Sequence, residues 1–446
     1  MTSARTIQST ASHLRALLRS GLFRRAETDA RTALLRIDEL DGAAYKSVRT
    51  RLPWVWCAAG EVLWAIGDDR AAVPLLERAR RDSASGARLF ALGDLACVYA
   101  VAGDLSRAEE RLDKLETVLG GSRLGAAGFA VRSRQHAARG VIALSRLQLE
   151  EAGGLATELA AGRADDDTWA IAARVLRSGQ ALLSGQPERA ISALAETAAL
   201  AETDAQAGVS PGIPIAPALA AAREGAASAA ALAGGELGFV MRHSPSEAVE
   251  HRHQHLCRPS FQAIALLAVG RPEVAVRRTD ECARGTVSHS SRTRVLLLAV
   301  RAAAFQAMGR TESAVACLVR LAPLCAESGA AEVCALPTRH RAALAGLAEQ
   351  ITSLPPFAIG SLVDRPRNGL DEVAESFGDL SAREWEVLRK LGSTSTLAEI
   401  GHELFTSRST IASHCRGIYV KLGVGSRADA VSLAKRSGVF EVLDLA

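Results

Sequence analysis

Aromatic residues are scarce, 4% of a 446-residue chain. That disfavours a β-sandwich or barrel, which draws on Tyr, Phe, Val, Ile and Thr to fill pleated faces. No stretch of eighteen residues is apolar enough to span a bilayer, and the opening MTSARTIQST has no apolar signal region. The expectation is a cytoplasmic protein with no membrane contact. The eight cysteines, at positions 57, 97, 257, 282, 317, 325, 334 and 415, include no C-x-x-C pair. They are expected to be small core hydrophobes rather than a disulfide framework or a zinc-thiolate site, so no metal and no cofactor is anticipated.

Catalytic patterns are missing as well. No G-x4-G-K-[ST] occurs, which excludes a P-loop nucleotide site. Gly208, Ser210 and Gly212 spell G-x-S-x-G, but Pro211 follows the serine inside a proline-rich loop. A nucleophile elbow needs a strand before that serine and a helix after it. With no coherent acid, base and nucleophile, no catalytic residue is assigned and no enzymatic activity is expected. His243, His251, His253, His255 and Cys257 form the densest run of ligand-type side chains, and Arg242, Arg252 and Arg258 stand beside them. Their positive charge opposes a cation, and a solvated polar segment is the preferred reading over a metal site.

What is abundant is aliphatic: 48% of residues are hydrophobic, with Ala and Leu conspicuous. This is the composition of closely packed helices, in a chain long enough for two or three domains. A glycine, a small residue five positions on, and another small or apolar residue seven further recur as Gly21, Ala26, Ala33; Gly67, Ala72, Ala79; and Gly103, Ala108, Leu115. The pattern returns as Gly185, Ala190, Thr197; Gly270, Ala275, Cys282; and Gly309, Ala314, Leu321, with a weaker copy around Gly140 and Ala152 that lacks the turn glycine. Trp56, Gly60 and Leu63 add to the second copy. The turn glycine reverses the chain and the small residues let paired helices lie close. These positions resemble the tetratricopeptide repeat, and residues 1–352 are expected to form an α-solenoid, with a generic helical bundle as the alternative. Trp54, Trp56, Trp64 and Trp169 are expected in its core rather than in a ligand groove. Ala205 to Pro217 reads as an inter-repeat loop, and residues 353–379, opening on Pro355 and Pro356, as a linker with a short helix near Leu370 to Phe377.

Residues 380–446 carry the densest local signals. Ser381 with Glu384 and Thr396 with Glu399 are S/T-x-x-E capping boxes, Ser407 precedes a third helix closed by Gly423, and Ser426 and Gly438 bound a fourth. On the third helix Ile411, Cys415, Ile418 and Leu422 form one apolar stripe, while Ser409, Ser413, Arg416 and Val420 line the opposite side with Thr410 beside them. Such a helix can bury one side and offer hydroxyls and a guanidinium to the DNA major groove. From Leu380 to Ser437 there are nine Lys and Arg against five acids, an excess equal to the +4 of the whole chain. A basic domain on a neutral body suits phosphate binding.

This segment resembles a LuxR-type helix-turn-helix domain. Leu380, Ser381, Arg383, Glu384, Val387 and Leu388 meet the start of the family pattern, followed by Ile400, Leu404, Ser407, Thr410, Ile411 and His414. Ile418, Tyr419, Lys421, Leu422, Val424, Ser426 and Arg427 complete it. It departs at Thr394, Gly401 and Ala412, the last replacing a lysine and leaving more of the cationic contact to Arg416. Trp385 falls where the family has a polar residue; it marks either a contact with the solenoid or a second subunit, or local packing. The resemblance implies an all-α protein: a tetratricopeptide-like solenoid plus a small four-helix DNA-binding domain. It further implies a bacterial regulator, an activator by preference, that binds double-stranded promoter DNA as a homodimer, contacts RNA polymerase and takes an effector on the solenoid. Arg408, Ser409, Thr410, Ser413 and Arg416 would face bases and adjacent phosphates, Thr396 and Lys421 would hold phosphate, and Ile411, His414, Ile418 and Leu422 would orient the helix. The competing reading is a helical-repeat interaction scaffold whose small domain is vestigial or binds protein.

Overall fold

The computed structural model describes residues 2–81, 86–120, 127–161, 167–195, 217–243, 257–285, 288–351 and 365–444. Among them every regular element is helical, all α apart from one 3-10 turn at Ala331–Ala335. Thr197, the loop of residues 205–216 with its G-x-S-x-G, the histidines at 251, 253 and 255, and linker residues 352–364 lie outside the described residues.

The recurring glycines close helices in one way. Gly67 donates its amide to the Trp64 carbonyl and Asp68 to Leu63; Gly103 donates to Ala100 and Asp104 to Tyr99; Gly270 and Gly309 do the same with Leu267 and Gln306. This is the Schellman closure, which places the turn residue in the left-handed region. Gly21, Gly67, Gly103, Gly185, Gly270 and Gly309 accordingly have φ between 68° and 86°. In the weaker copy Leu147 takes the same role at φ 63°, donating to Leu144 while Gln148 reaches Ala143. An eighth turn of this kind stands at Gly235, φ 77°. It breaks the sequence pattern because Val240, not a small residue, occupies the following buried position.

The paired helices stack as expected of a solenoid. Leu52–Ala65 packs on Asp69–Arg80, where a Cβ on Gly60 would lie 2.7 Å from Leu76 Cγ. The array turns back on itself: Arg292, near the start of Ser291–Ala307, donates to Ser145 Oγ at the end of Ala127–Ser145 and pairs with Glu332 at 3.0 Å. Trp56 and Trp169 are buried in the N-terminal core, with Trp54 and Trp64 packed against it.

The segment expected as a linker contributes structure. Gly369–Phe377 is a helix whose cap Asn368 and N3 residue Asp371 form a capping box. It runs along successive solenoid turns. A Cβ on Gly185 would lie 2.5 Å from Pro366 and one on Gly235 2.9 Å from the Gly369 carbonyl, while Gly270 abuts the Gly378 carbonyl. One continuous apolar core then joins the solenoid from Ala231 to Leu347, this helix, and the C-terminal domain up to Val442.

Candidate DNA-binding surface

Capping chemistry sets the frame of the C-terminal domain. Ser381 Oγ accepts the Glu384 amide of helix Ala382–Leu391, and Glu384 returns a carboxylate oxygen to the Ser381 amide at 2.7 Å. Thr396 and Glu399 repeat the exchange for Leu397–Glu403. Ser407 Oγ accepts the Thr410 amide of Arg408–Leu422 at 3.1 Å, and Gly423 closes that helix at φ 66°. Ser426 caps Arg427–Arg436. Both carboxylates sit below their ordinary range. Burial alone would raise Glu384, but the Lys421 ammonium and the Ser381 donors outweigh it. Glu399 is lowered by its bonds from Thr396.

The helix Arg408–Leu422 has the two faces that its spacing predicts. Ile411, Cys415, Ile418 and Leu422 are buried against a core that includes Val387, Leu388, Leu391 and Ile400. Arg408, Ser409, Thr410, Ser413 and Arg416 are all exposed, and Val420 is 81% exposed on the same side. Arg408 and Arg416 have no ion pair or hydrogen bond among the described residues, whereas Arg383, Arg389, Lys390 and Lys421 pair with Glu386, Asp444, Glu403 and Glu384. The Arg427 guanidinium donates to the Leu391, Ser395 and Ser393 carbonyls, locking the loop between the first two helices. The cations left for a polyanion are therefore Arg408 and Arg416 on the outward face of this helix, with Lys435 and Arg436 exposed at the end of Arg427–Arg436. Phe405, in the turn before that helix, has φ 53° and is 98% exposed.

Other expected contacts are placed differently. Thr396 is exposed at the start of the second helix, but its hydroxyl also donates to Glu399 at 3.0 Å. Lys421 Nζ lies 2.6 Å from Glu384 and 3.1 Å from the Asp379 carbonyl, so it ties the third helix to the first. His414 is half-buried, as is Ala412, which adds no charge to the exposed face.

The solenoid meets this domain away from the exposed face. Trp385 is 1% exposed, stacked on Phe377 at 5.8 Å between ring centroids, with the Arg271 guanidinium 5.8 Å above its ring. The aromatic residue in a normally polar position is thus a solenoid contact. Gly438 sits directly on Gly238, and the Leu237 amide donates to the Ser437 carbonyl at 3.1 Å.

Sequence reasoning misses a polar cluster inside the solenoid. Arg15 Nε lies 2.7 Å from Glu61, Arg134 Nε 2.5 Å from Asp94 and Arg134 Nη2 3.2 Å from Glu61. The two guanidiniums cover Trp54, Phe90 and Trp169. The one signal of it in the sequence is the repeat-length separation of Cys57 from Asp94, whose side chains come within 3.9 Å.

Comparison with known proteins supports this geometry over a limited length. The luxR family of bacterial regulatory proteins matches residues 379–434. Over 86 residues, 19% of this chain, the sequence is 36% identical to the probable transcriptional regulatory protein NarL of Mycobacterium tuberculosis, covering 38% of that protein. Over 57 residues, 13% of this chain, it is 44% identical to the HTH-type transcriptional regulator MalT of Yersinia enterocolitica, covering 6% of it. The likeness belongs to the C-terminal domain, and the chain spans well under half the length of these relatives.

Proposed function

Starting from a LuxR-type helix-turn-helix domain fused to an array of paired helices, we propose that the protein is a cytoplasmic regulator of transcription, an activator by preference, rather than an enzyme. The observation that carries this reading is the outward face of Arg408–Leu422, where hydroxyls and two unpaired guanidiniums stand opposite a fully buried stripe. Arg408, Ser409, Thr410, Ser413 and Arg416 are assigned to base edges and neighbouring phosphates of promoter DNA. Thr396 is assigned to a phosphate near a helix start. Lys421 reaches phosphate only by leaving Glu384, and its share is the smaller one.

The fourth helix, Arg427–Arg436, exposes Ala428, Asp429, Ser432, Lys435 and Arg436, and we assign it to pairing two copies on a palindromic site. The helical array, taken as residues 1–352, is the surface for an effector, and contact with RNA polymerase follows from activation. No helix among the described residues is long and apolar enough to cross a membrane. A mobility shift with random duplex DNA over a salt series separates this function from a protein-binding scaffold, because phosphate neutralisation makes affinity fall steeply with salt. A shift that ignores salt, or no shift at any salt, would sink the DNA reading; one protomer per specific site in sedimentation would remove the dimer.

A further inference from the structure

Three residues that the sequence keeps apart converge in the solenoid. Cys257 is the extended residue that caps Arg258–Ala268, Cys282 lies in the short helix Asp280–Ala283, and His289 directly precedes Ser290, the cap of Ser291–Ala307. The two sulfurs are 3.7 Å apart, and one ligand atom from each of the three residues lies within 4.8 Å of the others. Both cysteines are buried beside Leu297. Both ring nitrogens of His289 are shut off from solvent and neither has a well-formed hydrogen bond among the described residues. A group that interacts with this imidazole is Cys282 of the same cluster, so its lone pair is available beside the two sulfurs.

The sulfur separation discriminates between two chemistries. A disulfide requires about 2.05 Å, so the sulfurs would have to close by well over an ångström. Two thiolates on a tetrahedral zinc ion, each about 2.3 Å from the metal, stand about 3.8 Å apart. The observed 3.7 Å matches a shared metal edge, and in the metal-free protein the same spacing makes a thiol–thiol hydrogen bond. Ser260 Oγ, 3.0 Å from Cys257 Sγ, is placed to donate a hydrogen bond to that sulfur in the way that outer partners orient metal ligands.

We propose that Cys257, Cys282 and His289 bind a divalent zinc ion, with the fourth coordination position open to water or a small ligand. Binding releases the two thiol protons and joins three segments of consecutive helix pairs. The far end of Arg258–Ala268 is where the helix Gly369–Phe377 and the C-terminal domain dock: Arg339 bridges the Leu267 carbonyl at 3.3 Å and the Ala374 carbonyl at 2.8 Å, and Arg271 covers Trp385 of the domain. The ion would stiffen the repeat against which the DNA-binding domain rests. The site itself does not depend on the DNA-binding reading, because its test reads the metal.

The full-length chain, purified under reducing conditions and stripped of metal, is titrated with cobalt(II). One equivalent should bind, with sulfur-to-cobalt charge transfer in the near ultraviolet and the intense visible bands of tetrahedral coordination, and zinc should displace it. Cys257→Ser and Cys282→Ser should each cut the charge-transfer intensity by half or more, whereas Cys334→Ser leaves it intact. Should either serine variant fail to fold, His289→Gln provides the second reading: charge transfer persists while cobalt affinity falls by about tenfold or more. Absence of the bands in folded protein, bands undiminished by loss of either cysteine, or an affinity unchanged by His289→Gln would each overturn the site. So would a Cys257–Cys282 disulfide whose reduction restores no metal uptake.

Discussion

Arg416 is available to a ligand because its neighbours are not. Cys415 and Ile418 are buried on the opposite side of the helix, and among the described residues no carboxylate on the first two helices of the domain reaches the guanidinium. Replacing it with alanine removes a cation without disturbing the core. If Arg416 pairs with a guanine, Arg416→Ala weakens binding to a specific operator by about 1–3 kcal/mol while the thermal midpoint stays put. Arg408→Ala, if it meets phosphate, weakens all sequences alike and reduces the salt slope by about one. Quantitative footprinting on one operator and one scrambled duplex tells the two roles apart, and equal losses on both duplexes for Arg416→Ala would withdraw its base-reading role. A different sensitivity belongs to Asp94. Burial lifts its carboxyl to about 7, with Arg134 opposing and Glu61 adding to the rise. Burial also pushes Glu61 upward, but Arg15 and Arg134 overcome it and hold it at about 2. Since the folded Asp94 binds its proton more tightly than the unfolded one, the stability it contributes is complete below about pH 4 and is lost as pH rises through about 7. Glu61 contributes in the reverse sense, its stabilisation being lost only as pH falls toward about 2. The denaturation midpoint should therefore carry a downward component between about pH 4 and pH 7 that Asp94→Asn removes. If the variant and the parent change in parallel over that range, the proton is not held there.

The helix Gly369–Phe377 does more than connect. Its Asp371 is buried and accepts three sets of bonds: the Asn368 amide at 3.0 Å, the Thr338 amide at 2.5 Å and the Thr338 hydroxyl at 3.0 Å. One carboxylate thus completes the start of this helix and the start of Thr338–Glu349 together. Asp371→Ala leaves buried donors unmet at both, and should cost about 2–4 kcal/mol and expose the segment near residue 365 to limited proteolysis. Unchanged urea midpoints would show that water replaces the carboxylate at no cost. Elements whose signals are local are legible in the amino-acid sequence: both capping boxes, the Ser407 and Ser426 caps, Gly423, and the two faces of Arg408–Leu422 depend on residues three or four apart. The turn glycines are legible for the same reason, since the left-handed turn and the small residue after it belong to one short stretch. Leu147 and Gly235 escape because the Schellman closure is made by backbone atoms, which tolerate Leu147 at the turn and Val240 after it. The Glu61–Asp94–Arg134 cluster and the meeting of Cys257, Cys282 and His289 are not legible, because they bring together residues from separate helices. The docking role of residues 366–378 is hidden for a further reason: glycines at 185, 235 and 270 are needed for the turns and also admit the passing backbone, and a sequence displays only the first requirement.

The apolar interior divides the molecule differently from its repeats and its domain match. One core joins solenoid residues from Ala231 to Leu347 with the helix Gly369–Phe377 and the whole C-terminal domain, whereas the N-terminal helix pairs, from Ile37 to Leu176, share another. Solenoid stability is a sum of nearest-neighbour interfaces, so such a chain comes apart at the weakest seam. A DNA-binding domain packed through Trp385, Phe377 and Gly438 should lose its structure with the repeats beneath it and not as a free appendage. Hydrogen exchange in intermediate denaturant should find amides of Arg408–Leu422 and Arg258–Ala268 opening with one free energy, distinct from that of Leu52–Ala65. Trp385→Ala removes the side chain that bridges the two parts, and is expected to separate their free energies while destabilising the domain by about 3–5 kcal/mol. Were Arg408–Leu422 to exchange far ahead of Arg258–Ala268 in the parent protein, the domain would be a tethered module. An effector on the solenoid would then have to act through the linker. If the two open together, any ligand that alters the packing of the second half of the array changes the presentation of Arg408 and Arg416 directly, because no slack separates the repeats from the helix that carries them.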